Sequence, residues 1–182
     1  YSAMHVVIDD MSGFCFGVVN AISKAEEALA DGIEVRSLGD IVHNRVEVQR
    51  LGDMGLLSIN KTEFAAKRGG TVLIRAHGEP PGTYGLAAAN GIRIIDATCP
   101  VVARWQERVK EAYEEMKAVG GQVVILGKKG HAEVEGLSGQ VGGEVTVIEG
   151  IEDLDEVDFA RPVFLLSQTT QSLTLFGQVR DE

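Results

Sequence analysis

Short apolar runs alternate with helical patterns along the whole of this chain, and that alternation leaves few folds open. The runs fall at residues 6–8, 35–38, 56–57, 71–75, 93–96, 122–126, 145–148 and 163–166. Each is too short for an independent helix and most are bounded by turn residues, which marks them as strands. Between them, residues 18–30 put Val18, Ala21, Ile22, Ala25 and Leu29 on one helical face, and a second helix carries Val46, Val48 and Leu51. Residues 84–89 and 100–119 continue the pattern, with shorter helical stretches at 134–138 and 151–157 and a last helix from about Ser172. Asp31-Gly32, Asn90-Gly91 and Gly120-Gly121 supply stops, and Pro80-Pro81 is expected to break the chain. Strands alternating with helices imply parallel sheets under helical cover. The expected fold class is therefore α/β, in repeated small domains that each hold a mostly parallel four-stranded sheet flanked by helices. A boundary near Ala97 would divide the chain into residues 1–97 and 98–182, with about four strands in each part.

Both cysteines of the chain sit where a strand gives way to a helix. Cys15 lies in Ser12-Gly13-Phe14-Cys15-Phe16-Gly17-Val18, and Cys99 in Asp96-Ala97-Thr98-Cys99-Pro100-Val101. Proline fits the first helical turn, where its missing N–H would have no partner in any case, so Cys99 falls near an N-cap. There the positive end of the helix dipole meets a thiolate, the form of cysteine that binds metals and attacks electrophiles. A single cysteine is as readily a small buried hydrophobe. Two at the same kind of junction, where parallel sheets bind ligands, point to a site. Gly13 and Gly17 leave room for close approach to the Cys15 sulfur.

Three histidines, His43, His77 and His131, follow strands in loops that contain Gly, Asn or Lys. One loop histidine is ordinarily a solvated residue, but three at equivalent places suggest a shared task. Each can donate hydrogen bonds to phosphate oxygens, as can the hydroxyls of Thr169 and Thr170 and the free N–H groups of helix starts. Glu133 lies two residues after His131, so in an extended loop both side chains would point the same way. Gly127-Lys128-Lys129-Gly130 lacks the pattern of a nucleotide-binding phosphate loop and reads as a lysine-bearing turn.

Charge narrows the classes of partner. A formal net charge of −10 is no footprint for nucleic acid or anionic lipid. No apolar run approaches the roughly 20 residues that span a bilayer, and no signal peptide is expected. Two widely spaced cysteines suit a reducing, cytoplasmic setting better than a disulfide framework.

Taken in order, the Cys15 and Cys99 segments, His43-Asn44-Arg45-Val46, Ala76-His77-Gly78, Gly130-His131-Ala132-Glu133-Val134-Glu135-Gly136 and Gln168-Thr169-Thr170 resemble the motifs of the 4-hydroxy-3-methylbut-2-enyl diphosphate reductase family. These are iron–sulfur oxidoreductases of isoprenoid biosynthesis. The resemblance implies three similar α/β domains in a trefoil-like arrangement, of which this chain carries the first two. It implies that Cys15 and Cys99 are two of three ligands of a 4Fe-4S cluster, the third ligand and a Ser-x-Asn segment belonging to the absent last domain. It implies that His43, His77, His131 and Thr169 hold the substrate diphosphate. Glu133, with His131 and Thr169 beside it, would deliver a proton to the departing hydroxyl, because hydroxide is a poor leaving group.

The reaction so implied reduces an allylic alcohol to isopentenyl and dimethylallyl diphosphate, with electrons from ferredoxin or flavodoxin and no nucleic-acid or membrane partner. Histidine gains charge near neutral pH, so diphosphate affinity is expected to weaken as pH rises. The last helix runs to Glu182 without a stop and no third cysteine follows, so the chain is expected to be cut inside an element, apo and inactive by itself. Two other readings stay open on the residues: a cluster-free module that binds a phosphorylated metabolite, and a transferase in which Cys99 is a nucleophile activated by a histidine.

Overall fold

The computed structural model describes residues 13–182, and the strand expected at residues 6–8 lies outside them. From Phe16 to Asp96 the chain runs α1 (Phe16–Ala30), β1 (Val35–Leu38), α2 (Arg45–Asp53), β2 (Leu57–Ile59), α3 (Lys61–Ala66), β3 (Thr71–Ile74), α4 (Pro81–Ala89) and β4 (Arg93–Asp96). These strands form a parallel sheet in the order β2-β1-β3-β4, with Val35 opposite Thr71 and Val72 opposite Ile94. All four residues of β3 are buried, as the continuous apolar run of a central parallel strand requires. Alternate side chains of the sheet feed two cores. Leu73 and Val35 pack with Ala21, Ile22 and Ala25 of α1 and Leu51 of α2, while Val72 and Ile74 pack with Phe64 of α3 and Ala87 of α4.

A second unit follows: α5 (Pro100–Ala118), β5 (Gln122–Leu126), α6 (Ala132–Ser138), β6 (Thr146–Ile148), β7 (Val163–Ser167) and α7 (Leu173–Asp181). Its sheet is parallel, in the order β6-β5-β7. Val123 and Ile125 face α5 and α6 through Val109, Ala112, Val134 and Leu137, and Val124 and Leu126 face Val179 of α7.

The expected parallel α/β class is thus borne out, with differences in detail. The second sheet has three strands among the described residues rather than four, because β4 pairs with β3 and the chain after Cys99 goes directly into α5. Pro81 does not break the chain but opens α4 at its first turn, where proline costs no hydrogen bond. Helix α3 was not anticipated, although Asn60 and Glu63 form a reciprocal capping box that signals its start. No helix among the described residues is long and apolar enough to cross a membrane.

Gly52 lies inside α2 with helical backbone and nothing within 4 Å of the place a Cβ would occupy. Gly52→Ala should therefore stabilise the chain by about 0.5–1 kcal/mol, since alanine restricts the unfolded chain and favours helix. A urea midpoint that fails to rise would contradict this.

Candidate active site

His43, His77, Cys99, His131 and Thr169 lie at the carboxyl ends of the strands, in the loops after β1, β3, β4, β5 and β7, and Cys15 lies directly before α1. Cys15 and Cys99 are the N-cap residues of α1 and α5, and neither side chain makes a capping hydrogen bond. Both thiols are free, Cys15 exposed and Cys99 half-buried. The start of α1 lies against Cys99: a Cβ built on Gly17 would stand 2.9 Å from Cys99 Sγ and 3.7 Å from Ala76 Cβ. The Cys99 N–H donates to Ala76 O at 2.9 Å, which ties the cysteine loop to the turn carrying His77.

Asp96 organises that cysteine loop, a role the sequence reading missed. Its Oδ1 accepts from the Thr98 N–H at 2.8 Å and the Thr98 hydroxyl at 2.5 Å, and its Oδ2 accepts from the Tyr84 hydroxyl at 2.8 Å. Lys24 Nζ donates to the Asp96 carbonyl at 2.6 Å. Burial, with the neighbouring Asp96 carboxylate adding to it, pushes the Tyr84 phenol up to about 12. An Asp two residues before a Thr at the end of a strand is the Asx-turn pattern that could have revealed this arrangement.

The three histidines meet. The His43 and His77 ring centroids are 6.1 Å apart, and those of His77 and His131 are 5.9 Å apart. Asn44 caps α2 by accepting from the Glu47 N–H at 3.1 Å, which fixes the loop that presents His43. His131 caps α6 in the same way, its Nδ1 accepting from the Glu133 N–H at 3.2 Å. That bond places the proton of the neutral ring on Nε2, which remains a donor. His77 Nδ1 is buried with no hydrogen-bond partner among the described residues.

Glu133 stands in the first turn of α6, not in the extended loop expected from sequence, because the helix begins one residue after His131. Its side chain is 5% exposed. Oε1 accepts from the Thr169 N–H at 2.8 Å and Oε2 from the Thr169 hydroxyl at 2.9 Å. Gln168, which the sequence reading left without a role, is buried and holds two loops together. Its Oε1 accepts from the Lys128 N–H at 3.0 Å, and its Nε2 donates to the Thr170 hydroxyl at 3.0 Å. Thr170 is thus engaged inside its own turn, and Thr169 is the hydroxyl that meets the carboxylate.

Burial holds His77 below the ordinary histidine value, with the charges of Arg75, His131 and His43 adding to the effect and Glu133 opposing it. The sign of the linkage follows. A group whose proton affinity is lower in the folded state gives stability that is full above its unfolded value of about 6.5 and is lost as pH falls below it. Urea midpoints should therefore drop between about pH 7.5 and pH 5, and His77→Phe should flatten that drop. An equal drop in the variant would remove His77 as its source.

The fit of this site to an iron–sulfur group rests on the two uncapped thiols. Thiolates are the donors such clusters take, and Cys15 and Cys99 supply two. No group of three or more His, Cys, Asp or Glu side chains among the described residues is arranged to hold a metal ion. The donors present fit in kind and form a partial set.

The parallel α/β scaffold is one that the LytB family shares: the family model described as LytB protein matches residues 6–182, and the chain belongs to that family. The family resemblance read from the motifs is borne out. The 4-hydroxy-3-methylbut-2-enyl diphosphate reductase of Porphyromonas gingivalis is 56% identical over 177 residues, which cover 97% of this chain and 61% of that protein. The reductase of the same name from Bacteroides thetaiotaomicron is 55% identical, covering 96% of this chain and 60% of its own length. A solved (E)-4-hydroxy-3-methyl-but-2-enyl diphosphate reductase, described as the terminal enzyme of the non-mevalonate pathway, superposes with a TM-score of 0.78 at 38% identity, over 96% of this chain and 61% of its own. The E-1-hydroxy-2-methyl-but-2-enyl-4-diphosphate reductase of Plasmodium falciparum gives a TM-score of 0.83 at 26% identity, over 94% of this chain and 54% of its own. The chain thus spans about 60% of the length of the curated relatives it matches.

Proposed function

We propose that this chain forms the greater part of a 4-hydroxy-3-methylbut-2-enyl diphosphate reductase, which converts that allylic alcohol to isopentenyl and dimethylallyl diphosphate. The observation that carries this reading is the buried Glu133, bonded twice to Thr169 and placed beside the histidine cluster through His131. Reduction of the C–OH group consumes two electrons and two protons. One proton leaves with the hydroxyl as water and the other ends on carbon. Glu133 holds the first of these at its carboxyl, with His131 and Thr169 fixing its orientation. His43, His77 and His131 bind the diphosphate, with the Thr169 hydroxyl beside them, so the alcohol end is directed toward Glu133 and the cysteines.

Cys15 and Cys99 would hold a 4Fe-4S cluster with a third thiolate from outside these 182 residues. Such a group, when bound, delivers the two electrons to the alcohol carbon. A ferredoxin or flavodoxin in the cytoplasm would supply them. The two sheets would be separate domains divided near Ala97, with a third in the part of the relatives that this chain does not span.

The test is anaerobic iron–sulfide reconstitution of this chain and of the chain joined to the remainder of the Porphyromonas gingivalis relative. The joined protein should hold about four irons and consume the allylic diphosphate under a chemical reductant, and Cys15→Ser or Cys99→Ser should abolish its iron. A joined protein that binds the diphosphate without iron would instead be a phosphometabolite-binding module.

A further inference from the structure

Arg75 follows β3 directly and belongs to the same turn as His77, which closes through the Gly78 N–H donating to Arg75 O at 3.0 Å. Its side chain leaves that turn for the end of β1. A Cβ built on Gly39 would stand 2.9 Å from Arg75 Cζ, and Gly39 holds a φ of +76°, so the guanidinium lies flat on backbone that only glycine leaves open. Arg75 Nη1 donates to the Asp40 carbonyl at 3.3 Å, three residues before His43. The guanidinium therefore bridges the bases of the two loops whose histidine rings lie 6.1 Å apart.

Among the described residues its charge has no counter-ion there. None of the ion pairs among the described residues includes Arg75, and the nearby Asp40 carboxylate is engaged by the Ser58 hydroxyl at 2.8 Å. One carbonyl partner among the described residues leaves most of the five guanidinium N–H donors without a bond to them. The side chain is half-buried, so its field is less screened than that of a surface arginine. That field already reaches His77, where Arg75 ranks after burial among the causes that disfavour the charged ring. The other charged or titratable groups that face His77 are His43, His131 and Glu133.

We propose that Arg75 is a further anion-positioning residue, a fixed positive charge set between the His43 and His77 loops that retains a bound diphosphate when the histidines are neutral. The inference rests on the reading that the histidine cluster takes a diphosphate. Histidines alone would give a site that empties as pH rises, whereas arginine keeps its charge throughout.

The experiment is calorimetric titration of inorganic pyrophosphate into the 182-residue chain, wild type, Arg75→Gln and Arg75→Lys, at about pH 6 and pH 8 and at two salt concentrations. Wild-type binding should weaken between the two pH values yet persist. Arg75→Gln should bind about tenfold more weakly at the higher pH and depend less on salt, and Arg75→Lys should stay within about threefold of wild type. An Arg75→Gln variant that matches wild type would overturn the proposal. So would an Arg75→Lys variant as weak as Arg75→Gln, because the role would then be bracing rather than charge. A wild-type chain that binds no pyrophosphate at either pH would overturn the diphosphate reading itself, and this inference with it.

Discussion

Glu133→Gln, placed in the chain joined to the remainder of a longer relative, should lower turnover of the allylic diphosphate by about a hundredfold to ten-thousandfold. Its unfolding midpoint should stay close to that of wild type. Glutamine has the shape of glutamate, and its carbonyl oxygen can still accept the Thr169 N–H that Oε1 accepts at 2.8 Å. Its amide nitrogen can donate to the Thr169 hydroxyl that now donates to Oε2 at 2.9 Å. Packing and both contacts survive, and only the transferable proton is lost. Glu133→Leu is the contrast: it removes both acceptors and strands the Thr169 N–H, which costs about 1–3 kcal/mol of stability. Urea denaturation of this chain reads the second effect and steady-state turnover of the joined protein the first. A glutamine variant with near-wild-type turnover would remove Glu133 from proton delivery.

The second large effect concerns Gly17. Gly17→Ala should destabilise the chain by about 1–3 kcal/mol, although the same exchange at Gly52 should stabilise it. Both glycines are helical, so the sign is decided by what the new methyl meets. At Gly52 it meets open space, and at Gly17 it would stand 2.8 Å from Cys99 Cβ and 2.9 Å from Cys99 Sγ. Cys99 has little freedom to retreat, because it caps α5 and its N–H is bonded to Ala76. A side chain forced aside there also moves a thiol proposed as a ligand, so iron uptake by the joined protein should fall with stability. Equal midpoints for Gly17→Ala and wild type would mean that the two helix starts do not pack so tightly.

Local signals in the sequence carried much of this fold. Residues 35–38, 93–96 and 122–126 became strands with the expected bounds, the last of them a nearly continuous buried apolar run of a central parallel strand. Pairing was less legible: whether a strand joins the first sheet or the second depends on contacts distant in sequence, and the second sheet was overcounted for that reason. Helix starts were misread where the capping residue was unusual. His131 caps α6 with a ring nitrogen rather than a hydroxyl or carboxylate, and that hid the helical turn in which Glu133 stands.

Within the site, residue types with distinctive chemistry were found one by one, and the structure gathers the three histidines. What escaped was the support around them. Asp96, Gln168 and Arg75 act through backbone and side-chain contacts that include partners 2, 40 and 35 residues away. Nothing in their local sequence sets the last two apart from ordinary loop residues. Thr169 was legible as a hydroxyl at a strand end, and only the family resemblance set it beside Glu133, 36 positions earlier.

That span has a consequence for how the molecule matures. Glu133 sits on a helix that follows β5, whereas Thr169 follows β7, which must first dock beside β5. A ribosome delivers the chain from its N-terminus, so α6 emerges and can pack while residues 163–169 are still being made. During that interval the carboxylate lacks both of its Thr169 donors. The Glu133–Thr169 pair is therefore acquired late in the second unit, and an intermediate with its helices formed but β7 undocked would look folded by its helical content yet lack the acid in its working place.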